Sequence, residues 1–123
     1  MTKTAFLFAG QGAQYLGMAR DLYDQYGVVK TTFEEASQVL GYDVRELIDQ
    51  NEEKLNQTRY TQPAILTTSV AIYRLLAEKG IQPDMVAGLS LGEYSALVAA
   101  GALDFKTAVA LVAKRGAFME EAA

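Results

Sequence analysis

The chain has 123 residues, half of them hydrophobic, so it can bury a core and corresponds to one domain or a piece of one. Its formal net charge is −4 and its eleven basic residues are scattered, which argues against nucleic acid or an anionic membrane surface as a partner. It contains no cysteine and no histidine, which excludes thiol nucleophiles, thiolate metal sites and the usual imidazole ligand of catalytic zinc.

The chain carries no segment that predicts a membrane or export function. A spanning helix needs about eighteen consecutive apolar residues, and no stretch of the sequence approaches that length. The apolar run at residues 5–10 is shorter than a signal-peptide core and has no small-residue cleavage site before Gln11. The sequence therefore predicts a cytoplasmic protein.

The first predicted elements are a strand and a helix. Residues 3–9 are rich in aromatic and aliphatic side chains and end at Gly10-Gln11-Gly12, which predicts a buried strand that stops at a turn. Apolar residues recur at helical spacing over residues 13–26, and Gly27 stands where a C-terminal glycine is expected.

The middle of the chain is predicted to be helical. The next helix spans residues 29–40 and is closed by Gly41. Asp43 is placed to cap a short helix that runs to residue 48. Residues 49–59 are polar, and Glu52-Glu53-Lys54 within them is interpreted as solvated surface, so no function is assigned to this stretch.

The longest apolar helix is predicted to follow. It opens at Thr61 with Pro63 in its first turn, where the missing proline N–H does no harm, and it runs to Gly80. Residues 84–88 predict a second strand. Asp104 is placed to cap a final helix over residues 105–119.

Residues 88–92 read Gly-Leu-Ser-Leu-Gly, between the second strand and a predicted helix over residues 91–100. This order of strand, sharp turn and helix indicates Ser90 as a nucleophile, because the serine of such an elbow sits on a strained turn with its hydroxyl exposed. The helix also aims free N–H groups and its positive dipole end at charge that develops beside Ser90. The alternative is that Ser90 only caps the helix, since serine is a favoured N-cap residue.

The order of elements favours an α/β fold with a parallel sheet. Two strands do not make a stable parallel sheet, because parallel sheets have more strands and are covered by helices on both faces. We therefore expect the chain to be the first part of a larger domain.

Four stretches resemble a known family. They are residues 8–14 (Phe-Ala-Gly-Gln-Gly-Ala-Gln), 60–64 (Tyr-Thr-Gln-Pro-Ala), 88–96 (Gly-Leu-Ser-Leu-Gly-Glu-Tyr-Ser-Ala) and 114–116 (Lys-Arg-Gly). In order and spacing they resemble the malonyl-CoA:acyl carrier protein transacylases. The resemblance implies that residues 1–123 are the N-terminal part of the acyltransferase large subdomain, which is an α/β-hydrolase-like parallel-sheet subdomain. Its remaining strands and the ferredoxin-like small subdomain would be absent from this chain.

The resemblance implies an acyltransferase of fatty-acid biosynthesis that works without a cofactor or a metal. It would move a malonyl group from malonyl-CoA to the phosphopantetheine thiol of acyl carrier protein. Ser90 would hold the malonyl group as an ester, which splits one transfer into two similar ones. Backbone N–H groups of Leu91 and Gln11 would hold the oxyanion. Without the resemblance, the turn that contains Gln11 is interpreted as an ordinary turn after a strand.

The same resemblance implies that Arg115 pairs its planar guanidinium with the free carboxylate of malonate through two parallel hydrogen bonds. The alternative is that Lys114 and Arg115 complement the dipole late in a helix. Glu93 follows Ser90 by three residues, but acidic residues are common in a first helical turn, and we interpret it as structural.

The chain departs from the family pattern at two points. Leu89 stands where the family's elbow often has a histidine before the serine. The family's catalytic histidine, which takes the serine proton, belongs to a part of the protein that this chain lacks, so we expect the isolated chain to be inactive. Two other functions stay open. One is a serine hydrolase or thioesterase that gives its acyl group to water. The other is a non-catalytic fragment that needs the missing part.

Overall fold

The computed structural model describes residues 3–123, which form two short strands and seven helices. In chain order these elements are β1 (Ala5–Phe8), α1 (Arg20–Gln25), α2 (Gly27–Leu40), α3 (Val44–Gln50), α4 (Glu52–Leu55), α5 (Thr58–Glu78), β2 (Met85–Gly88), α6 (Leu91–Ala99) and α7 (Phe105–Ala122). The described part of the chain is therefore a helix-rich α/β structure with a small sheet. No helix in this range combines the length and apolar character needed to cross a membrane.

The sheet confirms the predicted parallel order. β1 and β2 pair in parallel, with Ala5 opposite Met85 and Phe8 opposite Gly88. Because parallel strands end at the same edge of a sheet, the turn that follows β1 lies beside the turn that follows β2. This edge brings the two glycine-containing motifs of the sequence together.

The core lies between the long helices. α5 packs against α2, α6 and α7, and each helix contributes its apolar stripe. The largest fully buried apolar side chains are Val29, Phe33, Val44, Ile48, Leu55, Leu66, Val70, Leu91, Val109 and Val112. Burying one such side chain contributes about 1.5–3 kcal/mol, so this cluster holds α5 and α7 in a fixed relation.

Three predicted helix ends are confirmed. Gly41 closes α2 in the left-handed region at φ 80°. The Asp43 carboxylate accepts from the N–H of Glu46 at 3.0 Å at the start of α3. The Asp104 carboxylate accepts from the N–H of Thr107 at 3.2 Å at the start of α7. Each of the two aspartate N-caps contributes about 1 kcal/mol.

The helix predicted over residues 13–26 is wrong in its first half, since only α1 is helical there. Gly17 and Ala19 have φ angles of 77° and 60°, in a region that interrupts a right-handed helix. The N–H of Gly17 donates instead to the carbonyl of Ile48 at 2.8 Å. This hydrogen bond to α3 therefore takes the place of the bond that Gly17 would make within a helix.

Gly27 and Pro63 take other places in their helices than predicted. Gly27 begins α2 and does not end α1, which stops at an extended Tyr26. α5 begins at Thr58, so Pro63 lies inside the helix and not in its first turn. Pro63 cannot donate to the carbonyl of Arg59, four residues earlier, so packing must hold this part of α5.

Tyr42 is expected to make the fold less stable at alkaline pH. Its ring packs edge-on against Tyr60, with centroids 5.5 Å apart. Burial, with a smaller contribution from Tyr60, raises the pKa of Tyr42 from 10.0 to about 12. The folded protein therefore keeps a proton that the unfolded chain loses, so this stabilisation is full below pH 10 and falls as the pH rises towards 12.

We expect Tyr42→Phe to lose less stability than the wild type between pH 9 and pH 11.5. The difference should be on the order of 1–2 kcal/mol, since partial exposure weakens the effect. Urea unfolding at the two pH values measures it, with the exposed Tyr15→Phe as the matched control. Equal alkaline losses in wild type and Tyr42→Phe would contradict the role of Tyr42.

Candidate active site

Ser90 has the backbone geometry of a nucleophile elbow. It joins β2 to α6 at φ 56° and ψ −116°, a conformation that is strained for a residue with a Cβ. The residue is exposed, and its side chain makes no capping hydrogen bond to α6. The interpretation of Ser90 as a simple helix cap is therefore wrong, and its hydroxyl is free for another partner.

The two glycines of the elbow are required by close backbone approach. A Cβ at Gly88 would overlap the backbone of Gly92, and a Cβ at Gly92 would overlap the carbonyl of Phe8. The first turn of α6 thus lies directly against the ends of both strands. Only glycine at these two positions allows this arrangement.

The turn after β1 and the serine elbow line one groove of about 570 Å³. Gln11 and Ser90 are among the residues that line it, and a Cβ at Gly10 would lie 3.4 Å from the carbonyl of Leu89. Leu91 is the first residue of α6, so its N–H has no acceptor within the helix. The positions of Gln11 and Leu91 are compatible with the predicted oxyanion hole, and their roles stay predictions.

The structure places Arg115 against Ser90. One η nitrogen of Arg115 donates to Ser90 Oγ at 2.8 Å, and the other donates to Gln62 Oε1 at 2.8 Å. The guanidinium carbon lies 5.7 Å from the centroid of the Tyr94 ring. The ion pairs within residues 3–123 do not include Arg115. The guanidinium is therefore held in place with its charge available to an anion.

The alternative interpretation of Arg115 does not fit its position. It lies about two turns before the end of α7, whose last turn contains no basic residue. A helix dipole acts mainly within the last turn. Glu93 is exposed in the first turn of α6, where the dipole favours an acidic side chain, as predicted.

Gln62 is a site residue to which the sequence reasoning assigned no role. It is fully buried on α5, with its amide oxygen on Arg115 and its amide nitrogen on Met119 Sδ at 3.0 Å. The same nitrogen lies 3.5 Å from Gln11 Oε1, and Gln11 Nε2 donates to Thr58 Oγ1 at 3.0 Å. The sequence offered one signal for Gln62, namely a polar residue directly before the apolar run that starts at Pro63. A polar side chain buried with such a run needs hydrogen-bond partners, which predicts contacts to other polar groups.

The described residues offer no metal centre. Between residues 3 and 123 no group of three or more acidic, histidine or cysteine side chains is arranged to hold a metal ion. The groups that the structure brings together at this site are the hydroxyl of Ser90, the N-terminus of α6 and the guanidinium of Arg115.

Comparison with known proteins agrees with the sequence resemblance. The acyl transferase domain family matches residues 5–123. The malonyl CoA-acyl carrier protein transacylases of Bacillus subtilis (strain 168) and Escherichia coli (strain K12) are 54% and 55% identical to this chain over 99% of its length. The chain spans only 39% and 40% of the length of these two relatives.

Solved structures share the backbone arrangement. A crystal structure described as MCAT from Streptococcus pneumoniae superposes with a TM-score of 0.97 at 83% identity, covering 98% of this chain and 40% of that one. An acyl carrier protein S-malonyltransferase from Vibrio cholerae O1 biovar eltor gives a TM-score of 0.95 at 55% identity, covering 99% and 40%. A third structure, described as a type II PKS acyl-carrier protein in complex with its malonyl-transacylase, gives 0.95 at 55% identity and the same coverage.

Proposed function

Because this chain belongs to the acyl transferase domain family, we propose that it supplies the nucleophile, the oxyanion donors and the carboxylate anchor of a malonyl-CoA:acyl carrier protein transacylase. One observation carries the proposal. The guanidinium of Arg115 donates to Ser90 Oγ at 2.8 Å, the atom that would bear the acyl group. A malonyl ester on that oxygen would carry its free carboxylate beside a preformed cation, which suits a dicarboxylic acyl group.

In the proposed reaction, Ser90 Oγ attacks the thioester carbonyl of malonyl-CoA. Its proton passes to a base, the C–S bond breaks, and the CoA thiol leaves with a proton. The phosphopantetheine thiol of acyl carrier protein then attacks the ester and returns the proton to Ser90. N–H groups of Leu91 and Gln11 stabilise the oxyanion in both steps. The chain contains no histidine, so the base is proposed to lie in the remaining part of the protein.

The buried amide of Gln62 supports this function by fixing Arg115. An arginine side chain has large rotamer freedom, and ordering it on binding costs free energy. The Gln62 oxygen and the Tyr94 ring hold the guanidinium before substrate arrives. In this proposal Gln62 is a positioning residue that leaves the second η nitrogen of Arg115 directed at the acyl group.

We further propose that residues 1–123 are the first part of an α/β-hydrolase-like large subdomain in a cytoplasmic protein that needs no cofactor. One face of the β1–β2 pair supports the assignment to a larger subdomain, since the residues on that face are all exposed: Ala5, Leu7, Met85 and Ala87. Leu7 is 82% exposed and Met85 is 61% exposed. Parallel sheets are normally covered on both faces, so the rest of the full-length protein would cover this one.

Replacing Arg115 with alanine tests the proposed function in the full-length protein. Malonyl transfer should fall by about 10²–10³-fold in kcat/KM, because removing one partner of a desolvated charge pair costs about 2–5 kcal/mol. Acetyl transfer should change far less, since acetate has no second carboxylate. Arg115→Lys should recover little of the malonyl activity, because an ammonium lacks the planar fork with which Arg115 donates to Gln62 and towards Ser90 from two fixed nitrogens.

Lys114→Ala is the matched control for this experiment, because it removes an exposed positive charge from the neighbouring position. It should leave the ratio of malonyl to acetyl transfer unchanged. Equal losses of both transfers in Arg115→Ala would remove the anchor role. If free malonate were released without a thiol acceptor as fast as malonyl is transferred, the protein would be a serine hydrolase and not a transferase.

A further inference from the structure

α7 approaches the start of α5 unusually closely at Gly116. This residue is buried in α7, directly after Arg115. A Cβ at position 116 would lie 2.8 Å from Arg59 Cα and 2.8 Å from the carbonyl oxygen of Thr58. Both neighbours are backbone atoms, so no side chain can rotate away to make room.

The local backbone of α7 does not itself require glycine. The positive φ angles of the described chain do not include Gly116, so its conformation is open to any residue. Glycine in a helix interior is less stable than alanine, because it loses more backbone freedom on folding. The close contact with α5 is therefore the physical reason for glycine at this position.

A second contact fixes α7 one turn further along. The Glu120 carboxylate accepts from the backbone N–H of Arg59 at 2.8 Å and from its Nε at 2.5 Å. The N–H of Arg59 lies in the first turn of α5 and has no acceptor within that helix. Gly116 and Glu120 thus hold successive turns of α7 against the same residue of α5.

This contact adjoins the residues that orient the site. Gln62 lies one turn after Arg59 on α5, and Arg115 precedes Gly116 on α7. We propose that Gly116 is a positioning residue, which sets the distance between α7 and α5 so that Arg115 reaches both Gln62 and Ser90. The inference rests on the proposed function, because it assigns the consequence to the carboxylate-binding role of Arg115.

Gly116→Ala should displace α7 from α5. Ordinary contact for a Cβ begins near 3.4 Å, so the two backbones must separate by about 0.6 Å. Catalytic and binding groups need to be held within about 0.5 Å of their productive positions. We expect malonyl kcat/KM to fall about 10- to 100-fold, and acetyl kcat/KM to stay within about threefold of the wild type.

A double-mutant cycle in the full-length protein separates this role from a general loss of structure. Gly116→Ala, Arg115→Ala and the double variant are assayed with malonyl-CoA and acetyl-CoA. If Gly116 acts through Arg115, Gly116→Ala lowers the malonyl to acetyl ratio, and adding it to Arg115→Ala changes that ratio no further. Equal losses for both substrates, an unchanged ratio, or a further fall of the ratio in the double variant would overturn the proposal.

Two more variants complete the test. Gly27→Ala is the control, because Gly27 is an exposed helical glycine whose added Cβ meets nothing within 4 Å, and the ratio should not change. Glu120→Ala removes the hydrogen bonds from α7 to Arg59 and adds no atom that could overlap α5. It therefore tests the proposal if Gly116→Ala does not fold. A lower malonyl to acetyl ratio supports the proposal, and an unchanged ratio overturns it. Failure of the proposed function is recognised separately, because Arg115→Ala would then leave the ratio unchanged.

Discussion

Replacing Ser90 with alanine should lower malonyl transfer by about four orders of magnitude or more and abolish the covalent intermediate. The reason is that the Ser90 oxygen is the atom proposed to carry the malonyl ester. The measurement is the intact mass of the full-length protein after incubation with malonyl-CoA, followed by peptide mapping. Wild type should carry one malonyl group on the peptide that contains Ser90, and the variant should carry none.

Ser95→Ala is the matched control for this experiment. Ser95 lies on the next turn of α6, and its buried hydroxyl has no hydrogen-bond partner within the described residues. Its removal should leave both the adduct and the transfer rate near wild type. A malonyl adduct that persists in Ser90→Ala, or a rate within about tenfold of wild type, would assign the nucleophile to another residue.

The same mass measurement on the isolated chain tests how much of the site assembles within residues 1–123. We expect no adduct, because the chain has no histidine to take the serine proton. A malonyl group on Ser90 would instead show that the elbow and Arg115 are sufficient for the first step. Only the appearance of this adduct would separate the assembly of the site from the supply of a base.

Local signals in the sequence predicted the fold where they were strong. Asp43, Gly41 and Asp104 mark helix ends because each satisfies backbone groups within its own few residues. Such signals need no knowledge of distant parts of the chain. The two strands and their parallel order followed from the same kind of local pattern.

The prediction was wrong where distant contacts decide the structure. Leu16 matched the helical spacing over residues 13–26, yet it is 45% exposed, and Met18 is the buried residue. The left-handed Ala19 and the bond from Gly17 to Ile48 fix that segment as a turn. A local sequence pattern does not reveal this hydrogen bond, because Ile48 lies about thirty residues after Gly17.

The sequence predicted which residues belong to the candidate site, but it did not predict how they contact one another. The elbow motif identified Ser90, and the family resemblance identified Arg115, but spacing alone does not bring residues 25 apart into contact. The contact depends on how α7 packs across α5. Gln62 received no role for the same reason, since its function becomes visible only through Arg115, Met119 and Gln11.

Gly92→Ala should destabilise the protein by about 3 kcal/mol or more, a large part of the roughly 5–15 kcal/mol that a domain has in total. The added Cβ would overlap the carbonyl of Phe8, which is a backbone atom at the end of β1 and cannot turn aside. α6 would have to move away from the sheet. Urea unfolding followed by circular dichroism measures the loss, and Gly27→Ala, with open space around its Cβ, is the control.

We expect Gly92→Ala to lower mainly the stability of the protein and Ser90→Ala to lower mainly its acyl transfer. Gly92→Ala removes stability because it displaces α6, and it loses acyl transfer only as a consequence. Ser90→Ala should unfold within about 1 kcal/mol of wild type, because it removes one exposed hydrogen bond, while it loses transfer almost completely. If Gly92→Ala proved as stable as Gly27→Ala, close packing against Phe8 would not be the reason for the second glycine. The elbow would then need an explanation from the conformation of the turn itself.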